Sequence, residues 1–111
     1  MSNKWAITPE KVQTIIQKII ELSQPRKIIL FGSYIRGNSH LNSDLDILIV
    51  TKDEMESPRK ESVRIRHALK GTHISMDILV ISESKLKELA NVPYLIYKEA
   101  IRHGKVIYES I

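Results

Sequence analysis

Apolar and polar residues alternate along this chain with two different periods, and the period changes locate the elements. From Val12 the apolar positions Ile15, Ile16, Ile19 and Ile20 recur at helical spacing. Thr8 is a ready N-cap, Pro9 suits the first helical position, and Glu10 complements the helix dipole. Pro25 is expected to end this helix. Lys27–Phe31 (KIILF) is too short and too apolar for a surface helix and predicts a buried strand. Gly32-Ser33 then opens a short helix running to Gly37, followed by a polar loop over 38–43. Asp44–Val50 predicts a second strand. Ser57-Pro58 repeats the cap-plus-proline signal and opens a charged helix expected to stop at Gly71. His73–Ile81 (HISMDILVI) predicts a third strand, Ser84–Ala90 a helical turn, and the stretch after Pro93 a last helix closed by Gly104. Lys105–Tyr108 (KVIY) adds a short final strand.

Helices that alternate with strands give an α/β class. The connection between the second and third strands is long enough for a helical crossover, so parallel pairing there is allowed but not required.

The strand period of two sharpens three positions. Asp44 and Asp46 point to one face, opposite Leu45, Ile47 and Ile49. In the third strand Asp77 shares a face with Ser75, Leu79 and Ile81, a lone acid in an otherwise almost fully apolar run. Aspartate is disfavoured in strands and rarely buried without a partner. Two neighbouring carboxylates at the edge of a core repel each other, and a divalent cation relieves that penalty. Oxygen-only ligands suit Mg²⁺ or Mn²⁺ better than zinc. If the two strands are neighbours, Asp77 completes a three-carboxylate set.

Gly32-Ser33 sits between a strand and a helix, where backbone N–H groups bind phosphate. The alternative is a plain turn with Ser33 as N-cap. Arg36, three residues on, is a candidate to reach the same phosphates, with a solvated surface arginine as the alternative. At residue frequencies of ~6%, the pattern Gly32-Ser33, ten residues, Asp44-x-Asp46 arises by chance in roughly one chain per thousand, so it is read as chemistry and not as packing.

Composition narrows the setting. The 111 residues fit one domain, taken as 1–111, and there is no cysteine to staple it or bind metal. A net charge of +4 favours polyanionic partners. An aromatic content of 5% leaves too few stacking platforms for direct nucleic-acid binding. The N-terminus lacks a signal-peptide core, and no apolar run approaches the ~20 residues of a membrane span. The expectation is a cytoplasmic protein. His40, His67, His73 and His103 lack metal-ligand spacing and read as surface residues, and the Lys52–Lys70 run reads as a solvated helix face.

These motifs resemble the DNA-polymerase-β-type nucleotidyltransferase superfamily. The wording GSYIRG…SDLDILIV resembles its minimal nucleotidyltransferase branch, found beside HEPN-domain partners in toxin–antitoxin pairs. The resemblance implies a small mixed sheet flanked by helices, in the order α-β-α-β-α-β-α. It implies that Asp44, Asp46 and Asp77 hold Mg²⁺ or Mn²⁺, that Gly32, Ser33 and Arg36 bind the phosphates of ATP, and that Asp77 is the general base. It further implies transfer of AMP to a hydroxyl, with a tyrosine of a HEPN toxin as acceptor. The shortness of the chain favours an acceptor supplied by another protein. Two other readings stand beside it: transfer to a small molecule of the aminoglycoside kind, and a non-catalytic antitoxin that neutralises by contact. The sequence leaves homo- and hetero-oligomers equally open.

Overall fold

A computed structural model describes residues 7–37, 44–54, 56–89 and 95–110. The expected loop over 38–43, with His40 and Ser43, lies outside the described residues, as do residues 92–94 of the apolar stretch that runs to Tyr97.

Helix α1 (Pro9–Ser23) starts as its sequence dictates: Thr8 is extended and its hydroxyl accepts from Lys11 N at 3.2 Å. Val12, Ile15, Ile16 and Ile19 form its buried stripe. It ends one residue before Pro25, at Gln24. That residue takes the left-handed conformation (φ 47°) and donates its N–H to the Ile20 carbonyl at 3.0 Å. The remaining elements are β1 (Lys27–Phe31), α2 (Ser33–Arg36), β2 (Leu45–Thr51), α3 (Pro58–Ala68), β3 (Met76–Ser82), α4 (Glu83–Leu89), α5 (Leu95–His103) and β4 (Lys105–Glu109).

Several boundaries depart from the sequence expectation, beginning with β2, which starts at Leu45 and leaves Asp44 just outside it. Helix α3 begins at the Ser57 cap but stops at Ala68, short of Gly71, and Gly71 itself lies beyond it at φ 90°. β3 begins at Met76 because His73 is left-handed (φ 57°), which no strand accommodates. The segment expected as a helical turn is a seven-residue helix, α4. Its start is tied by Ser82 Oγ, which accepts from Lys85 N at 3.3 Å, and by Asp53, which accepts from Ser84 N at 2.9 Å.

The strands form one mixed sheet in the order β3-β2-β1-β4. β1 runs antiparallel to both β2 and β4, while β2 and β3 are parallel through the α3 crossover. Each face buries its own cluster. On one, α1 and α3 cover Ile28, Leu30, Leu45, Ile47, Ile49 and Ile78. On the other, α4 and α5 cover Ile29, Phe31, Leu48, Val50 and Ile81. The aspartates at 46 and 77 belong, by strand parity, to this second face. No helix among the described residues is long and apolar enough to cross a membrane.

Candidate active site

The parallel register sets Asp46 opposite Asp77. Adjacent strands lie ~4.8 Å apart, so two carboxylates at paired positions on one face are neighbours. On its other side Asp46 is the partner of Phe31, the last residue of β1. Gly32 follows immediately, so the glycine turn is delivered to the flank of Asp46.

That delivery needs glycine. Gly32 has φ 79° and ψ −156°, a region L side chains avoid, and a Cβ there would stand 2.0 Å from Asp46 Oδ2 and 3.0 Å from its Cγ. Gly32 also holds the cap position of α2, accepting from Arg36 N at 3.1 Å, so Ser33 is the first helical residue and not the N-cap. With four residues, α2 carries little dipole. The donors this turn offers are therefore individual N–H groups, the Ser33 hydroxyl and Arg36.

Asp46 is the electrostatic focus. Partial burial raises its pKa above the usual carboxylate value, the charges of Asp77, Asp44 and Glu99 raise it further, and Arg36 opposes them. Asp44 stands just before β2, exposed, and accepts a short hydrogen bond from Ser75 Oγ. Asp77 is half-exposed, with Arg66 Nη2 at 3.8 Å from Oδ1. Arg66 also donates to Ser62 Oγ (3.3 Å) and to the Ile78 carbonyl (2.9 Å), fastening α3 to the edge of β3. Arg36 is engaged by Glu99 of α5.

The structure thus brings Asp46, Asp77 and Gly32 together, with Ser33 and Arg36 on the adjoining helix. It does not close the carboxylates into a cage: among the described residues no three His, Asp or Glu side chains form a ready metal site. Asp44 is turned to Ser75 and Asp77 towards Arg66. The donors nonetheless fit a divalent cation. They are all oxygen, two of them share a register position, and their repulsion falls on Asp46, where a cation relieves it.

Two residues here escaped the sequence reading. Arg66 was absorbed into a charged run. Glu99, a half-buried residue of α5 whose neighbour Ala100 is buried, carries no sequence signal of its partner Arg36, 63 residues away. A cavity of about 790 Å³ lined by residues such as Lys52, Ser57, Glu61 and Arg64 lies at the far end of β2, away from Asp46 and Asp77. Glu54, Glu56 and Glu61 also line it, but none is on a paired strand position and Glu61 is already held by Ser23 and Arg64, so the candidate site is taken at the end that carries Asp46 and Asp77.

Comparison with known proteins agrees with this fold. The chain is similar in fold to the crystal structure of a putative nucleotidyltransferase from Sulfolobus solfataricus (18% identity, TM-score 0.60, covering 90% of this chain and 78% of that one). It is also similar to a toxin–antitoxin structure with AMP-PNP (20% identity, TM-score 0.57, 94% and 75% covered). A substituted form of the toxin–antitoxin MntA–HpeT matches at 18% identity and a TM-score of 0.56, with 94% and 75% covered. No curated protein matches the chain. The profile described as "Polymerase beta, Nucleotidyltransferase" matches residues 12–110, a span that takes in every strand and the whole of the acidic site, and the chain belongs to that nucleotidyltransferase family.

Proposed function

We propose that this chain transfers AMP from Mg-ATP to a hydroxyl on a partner protein, a tyrosine of a HEPN-type toxin, and thereby acts as an antitoxin. The observation that carries the reading is the register pairing of Asp46 with Asp77 beside the Gly32-Ser33 turn. Two of its structural neighbours being toxin–antitoxin complexes, one of them with AMP-PNP, supports the partner class and the nucleotide.

Asp44, Asp46 and Asp77 are the residues that would hold Mg²⁺ or Mn²⁺, which when bound supplies positive charge to the triphosphate. Gly32, Ser33 and Arg36 bind the β and γ phosphates and fix the α-phosphorus in front of the acids. Asp77 accepts the proton of the acceptor hydroxyl. The acceptor oxygen bonds to the α-phosphorus as the bond from that phosphorus to the bridging oxygen breaks, and pyrophosphate leaves with the electron pair. The protein's share is position and charge.

The test is incubation with α-labelled ATP, Mg²⁺ and the neighbouring-gene product. Label on that protein, abolished by Asp44→Asn with the fold intact, supports the reading. Label on an added aminoglycoside would move the acceptor to a small molecule. Neutralisation of the toxin by Asp44→Asn, without label, would make the chain a binding module.

A further inference from the structure

We propose that Glu99 is a latch on Arg36: it holds the arginine in the nucleotide-free protein and yields it to the triphosphate. The proposal rests on the reading above that this site takes Mg-ATP. Arg36 ends α2, at the tip of the Gly32-Ser33 turn, and its guanidinium is bound by Glu99 across 63 residues of sequence. Glu99 comes from α5, which packs on β1 through Ala100 on the same sheet face as Asp46 and Asp77. The latch therefore reaches over from the helix layer that covers the acidic face.

Charge makes the pair a competitor and not a support. The site already gathers Asp44, Asp46, Asp77 and Glu99, and a triphosphate adds more negative charge. Arg36 is the basic side chain acting on Asp46. A phosphate recruits a guanidinium through charge-assisted, two-point hydrogen bonds, and a carboxylate uses the same donors. Glu99 holds Arg36 through Nη1, so a two-point phosphate contact that uses this nitrogen has to displace it. The side chains of Arg36 and Glu99 are 52% and 37% exposed, so their pairing is screened by water and weak enough for a triphosphate to replace. Freed from Arg36, Glu99 is left as an unpaired negative charge facing the nucleotide, a second cost that the bound state carries.

The experiment is calorimetric titration of the full chain with Mg-ATP. The Glu99→Gln variant is expected to bind about two- to fivefold more tightly than wild type, and Glu99→Ala likewise, with unchanged circular dichroism. The gain is expected to shrink when Arg36→Gln is already present, because no latch is left to release. Unchanged or weaker binding by both Glu99 variants overturns the proposal and makes Glu99 a support for Arg36. A gain of equal size with and without Arg36 overturns it too, since that is plain charge repulsion. Failure of the wild-type chain to bind Mg-ATP overturns the nucleotide reading and the latch together. Binding by wild type with no Glu99 effect overturns the latch alone.

Discussion

The backbone of Gly32 lies so close to the Asp46 carboxylate that a Cβ there would stand 2.0 Å from Oδ2. Turn and acid therefore occupy one space, and neither can change alone. Gly32→Ala is expected to cost about 1–3 kcal/mol from the backbone conformation, and to push Asp46 aside. A displacement near 1 Å at a reacting centre costs about 100-fold in rate. Urea denaturation would show the first effect and a nucleotidyl-transfer assay the second. Wild-type transfer by a folded Gly32→Ala protein would disconnect the turn from the acid.

Asp46 makes the protein sensitive to pH in a direction opposite to most carboxylates. Burial, then Asp77, Asp44 and Glu99, raise its folded pKa above 3.8, so the folded state binds the proton more tightly than the unfolded chain. Its favourable contribution is present below 3.8 and is lost as pH rises through the folded value. At neutral pH the ionised group is a burden. Asp46→Asn is expected to melt at a higher temperature than wild type at pH 7 without metal, with the margin disappearing below pH 3.8. Added Mg²⁺ should raise the wild-type melting temperature and leave Asp46→Asn nearly unmoved. A lower melting temperature for Asp46→Asn at pH 7 would contradict the strained-acid account.

Much of this was legible because it is local. The stripe from Val12 to Ile19, the Thr8 and Ser57 caps, and the alternation that sets Asp46 with Leu48 and Val50, and Asp77 with Leu79 and Ile81, on one face of each strand need only a few neighbouring residues. The left-handed turns at Gln24 and His73 were not legible, since glutamine gives no signal for positive φ and histidine only a weak one. The direction of pairing was also hidden: strand patterns name faces, and only the α3 crossover decides that β2 and β3 run parallel with Asp46 beside Asp77. Arg66, Glu61 and Glu99 were missed for a shared reason. Their partners lie 12, 38 and 63 residues away, and a charged residue looks the same in sequence whether water or a distant side chain satisfies it.

Glu61 is the clearest case. It sits in the run expected to be a solvated face, yet it is 5% exposed, taking a hydrogen bond from Ser23 Oγ at 2.5 Å and another from Arg64 Nη1 at 2.8 Å. Arg64 also donates to the Leu22 carbonyl at 3.0 Å, so the group ties α3 to the end of α1. Hydrogen bonds to charged groups contribute about 1.5–3 kcal/mol. Glu61→Ala is expected to destabilise by about that amount, the lower half being favoured because Arg64 is half-exposed and rehydrates. Transfer by the folded fraction should be unchanged, because the acids lie at the other end of β2. Chemical denaturation paired with an activity assay at low temperature separates the two effects. A loss of transfer without a loss of stability would place Glu61 in the chemistry.

Asp53 gives the opposite pH dependence to Asp46. Its pKa is lowered, first by the hydrogen bond from the Ser84 backbone N–H (2.9 Å), then by one from the Ser84 side chain, with Lys87 and Arg26 adding smaller pulls against a slight burial penalty. A lowered folded value means stability that is present above 3.8 and lost as pH falls through the folded pKa. The contact closes the first turn of α4, where backbone N–H groups have no helical partner. Asp53→Ala is therefore expected to be less stable than wild type at pH 7, with faster amide exchange in α4. Acidification should bring the two proteins together as the wild-type carboxylate takes up its proton. Asp53→Asn keeps an acceptor oxygen but no charge, so it should fall between them at pH 7 and lose the pH dependence. Melting curves of the three proteins from pH 7 to well below 3.8 decide the matter: an Asp53→Ala deficit that stays constant across that range would mean that the contact acts by packing and not through the carboxylate.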